Sequence, residues 1–362
     1  MPRLRVGLIG LGAVAELHLE GYRGVEEIEV VAGAEPREER LREMARRWGI
    51  TGYRHYREML EEERLDIACV LTPPPFHREA TESAAYRSIH VLCEKPLAVA
   101  LDDARAMVGK CEEAGVKLCY GASYRFLPAW RKAKEMIDGG RLGRIRLMIE
   151  TAVGGRGPEA FPDLGPEHYP RGGPGGGGAG LLDHGIHLVD AFAWLAGSRV
   201  QTVIGRGNAS GKPPGTEFLT MTLENGASGH LIYDEATHPA QMPSEGIYSS
   251  GPSWSLDGHR ILPGEWDPQP SNASLHGDEG ALRLFYYANK LFFFGKDRTE
   301  EIPLDGPAMP AHFGAQIRSF AGRLLRGEEP EASGADGIAA LRVVLAAYES
   351  FETKRVVELP RD

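Results

Sequence analysis

From residue 4 to about residue 120, short runs of aliphatic and β-branched residues alternate with charged stretches whose apolar positions recur at helical spacing. That alternation predicts a parallel sheet covered on both faces by helices. Strands are expected at Leu4–Ile9, Ile28–Ala34, Ile67–Leu71, His90–Cys93 and Val116–Tyr120, with a weaker one near Tyr53. Arg37–Trp48 and Asp102–Ala114 read as crossover helices with a solvated face.

Past residue 121 the pattern changes. A helix is expected over Pro128–Ile137 and a strand over Ile145–Val153, after which glycine and proline crowd residues 154–178 too densely for regular structure. So long an irregular stretch inside a compact domain reads as a lid or binding loop, the alternative being a surface insertion. A helix from about Gly180 to Ala196 ends at Gly197, and strands with alternating polarity follow at Val200–Gly205, Phe218–Leu223 and Gly229–Tyr233. The aromatic runs Phe285–Tyr287 and Phe292–Phe294, broken at Ala288, Asn289 and Lys290, suggest a hairpin whose rings face the core in preference to a partner subunit. Helices at Phe313–Leu325 and Gly337–Phe351 close the chain.

A chain of 362 residues exceeds one comfortable core and fits two domains, here 1–122 and 123–362. A net charge of −10 argues against nucleic acid or anionic membrane as main partners. No run of apolar residues is long enough to span a bilayer, and the opening Met1-Pro2-Arg3-Leu4-Arg5 leads straight into a strand, so a cytoplasmic location is expected. Cys69, Cys93, Cys111 and Cys119 form no C-x-x-C pair; they fit a reducing compartment and a packing role.

The first strand runs into Gly10-Leu11-Gly12-Ala13-Val14-Ala15 and then a helix, the strand-turn-helix context in which a glycine loop cradles a pyrophosphate. Gly10 permits the tight turn, Gly12 keeps side-chain atoms away from the phosphates, and Ala15 lets helix and strand approach. Glu35, at the tip of the second strand, is placed to accept hydrogen bonds from adenosine ribose hydroxyls, which favours NAD; Arg37, two residues on, keeps NADP open. Thr72-Pro73-Pro74-Pro75-Phe76-His77 and Cys93-Glu94-Lys95-Pro96 follow strands four and five, at the sheet edge where ligands bind. The Lys95 ammonium there is suited to hydrogen-bond a substrate oxygen that becomes an alkoxide. On an ideal helix Asp183, His187 and Asp190 share one face, so that Asp183 would orient the His187 imidazole as it takes a hydroxyl proton. A capping and salt-bridge cluster, or a satisfied core histidine, are the competing readings. A metal site built from Asp183, His184 and His187 is not expected, because His184 turns away and no further ligand spacing appears.

Taken in this order, the glycine loop, Glu94-Lys95-Pro96, and Gly176-Gly177-Gly178 followed by Asp183, Gly185, His187 and Asp190 resemble the Gfo/Idh/MocA family of glucose-fructose oxidoreductase, inositol dehydrogenase and rhizopine-catabolism proteins over essentially the whole chain. The resemblance implies an α/β protein with an N-terminal Rossmann doubly wound parallel sheet and a C-terminal α/β domain carrying an open, largely antiparallel sheet. That second sheet would supply substrate contacts and a homodimer or homotetramer interface. It further implies NAD(P)-dependent hydride transfer at a secondary hydroxyl of a sugar or polyol, a catalytic group of Lys95, Asp183 and His187, and a cis Lys95–Pro96 peptide. Cofactor contacts are then expected from Gly10, Gly12, Ala13, Val14, Glu35, Arg37, Thr72, Pro73, Pro74, His77, Glu94 and Lys95. Substrate contacts are expected from Lys95, Tyr124, Arg125, His168, Asp183 and His187. Members often carry Asn where this chain has Ser123-Tyr124-Arg125-Phe126. Two rivals remain: a glycosidase using held NAD for transient oxidation, and a non-catalytic dinucleotide-sensing regulator.

Overall fold

The computed structural model describes residues 3–153, 180–207, 216–234, 271–306 and 310–361, with four short strands between 246 and 268. The glycine-rich stretch and His168 lie outside the described residues.

The first half forms a six-stranded parallel sheet in the order β3-β2-β1-β4-β5-β6. Its strands are β1 (Leu4–Ile9), β2 (Ile28–Ala34), β3 (Thr51–Tyr53), β4 (Ile67–Val70), β5 (His90–Cys93) and β6 (Leu118–Tyr120). The crossover helices are α1 (Ala13–Tyr22), α2 (Glu38–Trp48), α3 (Tyr56–Glu62), α4 (His77–Tyr86) and α5 (Leu101–Glu113). Strand β4 is buried throughout and β5 from Val91 to Cys93, as expected where helices cover both faces.

After α6 (Pro128–Asp138), the second sheet begins with β7 (Ile145–Val153). A π-helical turn over Leu181–Gly185 leads into α7 (Ile186–Ala196), then β8 (Val200–Gly207), β9 (Glu217–Leu223) and β10 (Ser228–Asp234). The short strands β11 (Gly246–Tyr248), β12 (Trp254–Ser255), β13 (Arg260–Ile261) and β14 (Trp266–Pro268) stand apart in two ladders. Then come β15 (Ser271–Gly277), β16 (Gly280–Phe285), β17 (Lys290–Gly295), β18 (Thr299–Glu301), α8 (Ala311–Leu325), α9 (Gly334–Thr353) and β19 (Val357–Glu358). The nine-stranded sheet runs β18-β17-β16-β15-β7-β10-β9-β8-β19 and is antiparallel except where β10 lies parallel to β7. Helices α6, α7 and α9 pack on one face. The other exposes Ile204, Phe218 and Phe294. The hairpin is shifted from its expected register: Tyr286 and Tyr287 lie in the turn beyond β16, Tyr286 buried and Tyr287 44% exposed.

Helix α8 returns to the first sheet, where Phe313, Ile317 and Phe320 join a core with Val6, Leu8 and Leu19. Gly21 and Gly314 let α1 and α8 touch backbone to backbone; a methyl on Gly21 would lie 2.5 Å from the Pro310 carbonyl oxygen. In the second half, Glu217 is buried on β9 and accepts the Leu181 N–H at 2.7 Å, anchoring the start of the π-helical turn. Burial pushes this carboxyl up to about 7 against the lowering influence of that N–H and of Tyr348.

Gly21→Ala should destabilise the protein by roughly 1–3 kcal/mol through overpacking, read as a lower Tm in calorimetry; an unchanged Tm would mean the two helices separate freely. Glu217 holds its proton in the folded state at pH values where the unfolded chain has lost it. Stability is therefore fully present below the ordinary carboxyl value of 4.5 and is lost as pH rises through about 7. Urea melts should show wild type losing on the order of 3 kcal/mol relative to Glu217→Gln between those limits. Parallel pH dependences would refute the buried-acid assignment.

Candidate active site

The carboxyl ends of β1, β2, β4 and β5 converge at one edge of the parallel sheet, and the residues singled out there do different things. Gly10 adopts φ +92°, with the Leu71 carbonyl oxygen 3.0 Å from where a Cβ would stand, so only glycine fits without strain. Around a Cβ built on Gly12 there is nothing within 4 Å. Gly12 begins α1, whose first turn bears no side-chain cap, so the N–H groups of Ala13 and Val14 belong to an uncapped helix N-terminus suited to phosphate oxygens. Arg40 clamps the loop from behind by donating to the carbonyls of Leu11 at 2.8 Å and Gly12 at 3.4 Å.

Glu35, only 4% exposed, accepts the Leu11 N–H at 3.2 Å and the Arg37 guanidinium at 2.7 and 3.3 Å. Burial alone would raise its pKa, but the Arg37 and Leu11 donors lower it. Arg37 thus covers Glu35 while lying largely exposed itself. Beyond β4, the buried Thr72 Oγ1 has no protein partner, an orphan hydroxyl beside the expected cofactor position. The open space over Gly12, the uncapped helix and this hydroxyl fit a dinucleotide. Pro73 precedes a one-turn helix at Pro74–Phe76, with Pro74 buried. His77 is fully buried and lies within hydrogen-bonding distance of the carbonyls of Thr72 (2.7 Å), Pro96 (3.0 Å) and Leu97 (3.2 Å), so it ties the two loops together instead of offering its ring to a ligand. The Glu94 carboxylate is likewise turned into the protein, onto His18.

Lys95 sits beyond β5, followed by a cis peptide to Pro96. Its ammonium reaches across to the second half, donating to the Asp183 carboxylate and, at 3.2 Å, to the Asp183 carbonyl. Asp183 lies in the π-helical turn over Leu181–Gly185, ahead of α7, and Asp183, His187 and Asp190 meet different partners. Asp183 pairs with Lys95. Asp190 is buried against Arg125, whose Nε and Nη2 donate at 2.8 and 2.6 Å, and Arg125 also reaches Asp336 at 3.1 Å. Arg125 is only 4% exposed, so the expected substrate contact is replaced by a buried ion-pair network joining α7 to α9. His187 stacks on Tyr124, ring centroids 4.1 Å apart and planes within 9°, and its buried Nδ1 has no partner. Burial, reinforced by the nearby Lys95 charge, drives the His187 pKa well below the ordinary imidazole value, leaving a neutral base with a free ring nitrogen.

Glu150, His184, Tyr286 and Tyr287, none of them expected among the site residues, complete the neighbourhood. Glu150, 1% exposed on β7, accepts from His184 Nε2 and from the Tyr286 hydroxyl, both at 2.9 Å. Burial opposes charge on His184, but Glu150 outweighs it and raises the His184 pKa. The Tyr124 and Tyr287 hydroxyls hydrogen-bond to each other beside the stacked His187. Glu150 was detectable in principle as a carboxylate on the same strand face as Met148 and Ala152, the face that points to the core. Among the described residues no cluster of three or more His, Cys, Asp or Glu could hold a metal ion.

Residues 4–122 match the sequence profile described as an oxidoreductase family with an NAD-binding Rossmann fold, and residues 130–283 match the GFO/IDH/MocA C-terminal domain. The chain is 27% identical to a myo-inositol 2-dehydrogenase of Thermotoga maritima over 98% of both proteins. It is 28% identical to a D-apiose dehydrogenase of Paraburkholderia graminis, over 99% of this chain and 90% of that one. Its fold is similar to a crystal structure of an Agrobacterium radiobacter oxidoreductase in complex with NAD+, L-tartaric acid and magnesium: TM-score 0.79, 22% identity, covering 99% of this chain and 98% of that one. With the Rossmann sheet, the Lys95–Asp183 pair across its edge and both domain profiles in sequence order, the chain belongs to the Gfo/Idh/MocA family of oxidoreductases.

Proposed function

We propose that the protein is an NAD(P)-dependent dehydrogenase or reductase that interconverts a secondary hydroxyl and a ketone on a sugar, inositol or related polyol. The observation that carries this reading is the cluster of Lys95, Asp183 and the neutral His187 at the carboxyl edge of a sheet whose glycine loop is open to a pyrophosphate. The kinship to inositol and apiose dehydrogenases supports the substrate class. Bound NAD would supply the nicotinamide carbon that accepts or returns hydride. Lys95, charged and fixed by Asp183, hydrogen-bonds the substrate oxygen and stabilises the negative charge that grows on it. His187, kept neutral by burial, is the base of the group for the hydroxyl proton, and the low basicity that burial imposes lets it give that proton back. Tyr124 braces the imidazole face to face, while the Tyr124 and Tyr287 hydroxyls offer donors and acceptors to a polyol's remaining oxygens.

In this reading, residues 1–122 form the dinucleotide domain and 123–362 the substrate domain. The outward sheet face carrying Ile204, Phe218 and Phe294 supports a homodimer or homotetramer. Four buried free cysteines support a cytoplasmic, reducing setting. Among the described residues no helix is long and apolar enough to cross a membrane.

A panel of cyclic polyols, aldoses and aryl glycosides, followed at 340 nm with each dinucleotide, tests the assignment; release of aglycone without net NADH would move it to the glycosidase rival. Lys95→Met should lower kcat about 10²–10⁴-fold while the Kd for NADH stays within about threefold; undiminished turnover would remove Lys95 from the chemistry. Because Glu35 closes the ribose end, kcat/KM should favour NAD+ over NADP+ by about tenfold or more, and a reversed preference would overturn the role given to Glu35.

A further inference from the structure

Glu94 stands immediately before the lysine and is only 6% exposed, yet it is not an idle neighbour. Its Oε2 accepts the backbone N–H of Lys95 at 3.1 Å, and its Oε1 faces His18 Nε2 at 2.9 Å. His18 is fully buried in α1, the helix whose first turn forms the phosphate cradle. The other ring nitrogen lies 2.8 Å from the Tyr22 hydroxyl, which lies 3.4 Å from Cys69 Sγ on β4. Since a carboxylate only accepts, Nε2 carries the hydrogen toward Glu94, and Tyr22 and Cys69 extend the hydrogen-bonded chain from the other ring nitrogen. Burial keeps both Tyr22 and Cys69 protonated. Phe313 of α8 lies against the ring, centroids 4.3 Å apart, which fixes its orientation. One carboxylate therefore bonds at the same time to the helix that meets the dinucleotide and to the backbone of the residue that meets the substrate.

We infer that Glu94 and His18 are positioning residues that couple the phosphate-binding helix to the Lys95 loop, so that the amine's place depends on where the helix stands. Apolar packing alone would hold the helix against the sheet but would not set this register, because a hydrogen bond fixes direction as well as distance. A displacement of the amine by a fraction of an ångström is enough to lower turnover without removing any group that touches substrate.

The inference rests on the dehydrogenase reading above. Its test measures NADH affinity by fluorescence titration, separately from kcat and KM on the best polyol or sugar of the panel, in the full-length protein. In His18→Leu, kcat should fall about 10–100-fold and NADH affinity by a few-fold, with little change in KM for the polyol. His18→Gln, whose amide nitrogen can replace Nε2, should recover most of both losses. Glu94→Leu combined with His18→Leu should be no worse than the poorer single variant, as expected for two ends of one interaction. Should His18→Leu fail to fold, Glu94→Gln is read the same way: it keeps an acceptor for Lys95 but weakens the bond to His18, and kcat must drop more than polyol affinity. Unchanged kcat in a folded His18→Leu, equal losses in Gln and Leu, or additive losses in the double variant would overturn the coupling. A wild type that binds no dinucleotide removes the dehydrogenase reading and the coupling together, whereas an active wild type with indifferent variants removes the coupling alone.

Discussion

An ammonium held against a carboxylate across the seam between two sheets is the constraint on which this molecule turns. Lys95 comes from the end of a parallel strand and Asp183 from an irregular turn on the other half, so their meeting requires both halves to stand in one relation. A charge in a partly desolvated cleft needs a fixed counter-charge, and the counter-charge needs a rigid backbone behind it. The sequence supplies that backbone in two places: His77 joins the loop after β4 to the loop that carries Lys95, and Glu217 anchors the turn that carries Asp183.

Around this pair the buried charges are distributed with little redundancy. Glu94 lies beneath it with His18, Glu150 beside it with His184 and Tyr286, and Arg125 behind it with Asp190 and Asp336. Buried pairs of this kind contribute little net stability, since desolvation offsets most of the attraction. What they confer is direction, for each joins elements that lie far apart in sequence and fixes their relative position. They also shape the field at His187, which remains uncharged in a neighbourhood containing Lys95, His184 and His312.

Much of the fold was legible because buried parallel strands read as short runs rich in aliphatic and β-branched residues: Leu4–Ile9, Ile28–Ala34 and His90–Cys93 are observed with the bounds their sequence implies. The glycine loop was legible for a similar reason, its residues being dictated by backbone geometry at Gly10 and by empty space at Gly12. Side-chain partnerships were harder. Helical periodicity places Asp183 along the chain but says nothing of the Lys95 ammonium, which the other half of the chain brings to it. The destination of Arg125 depended on Asp336, distant in sequence, so no local pattern could distinguish a substrate ligand from one member of a buried network. Glu150 and His18 likewise sit on faces that read as core, and only the fold brings the groups that satisfy them.

Helix α8 gives the architecture an unusual temporal order. It seals the apolar side of α1 with Phe313, Ile317 and Phe320, although almost the whole chain separates the two in sequence. A nascent polypeptide emerging from the ribosome therefore completes its first sheet long before the cover for that helix has been synthesised. At ordinary elongation rates the interval lasts on the order of 15–60 s, during which an oily stripe beside the future nucleotide cradle stays open to chaperones or to misassembly with another unfinished chain.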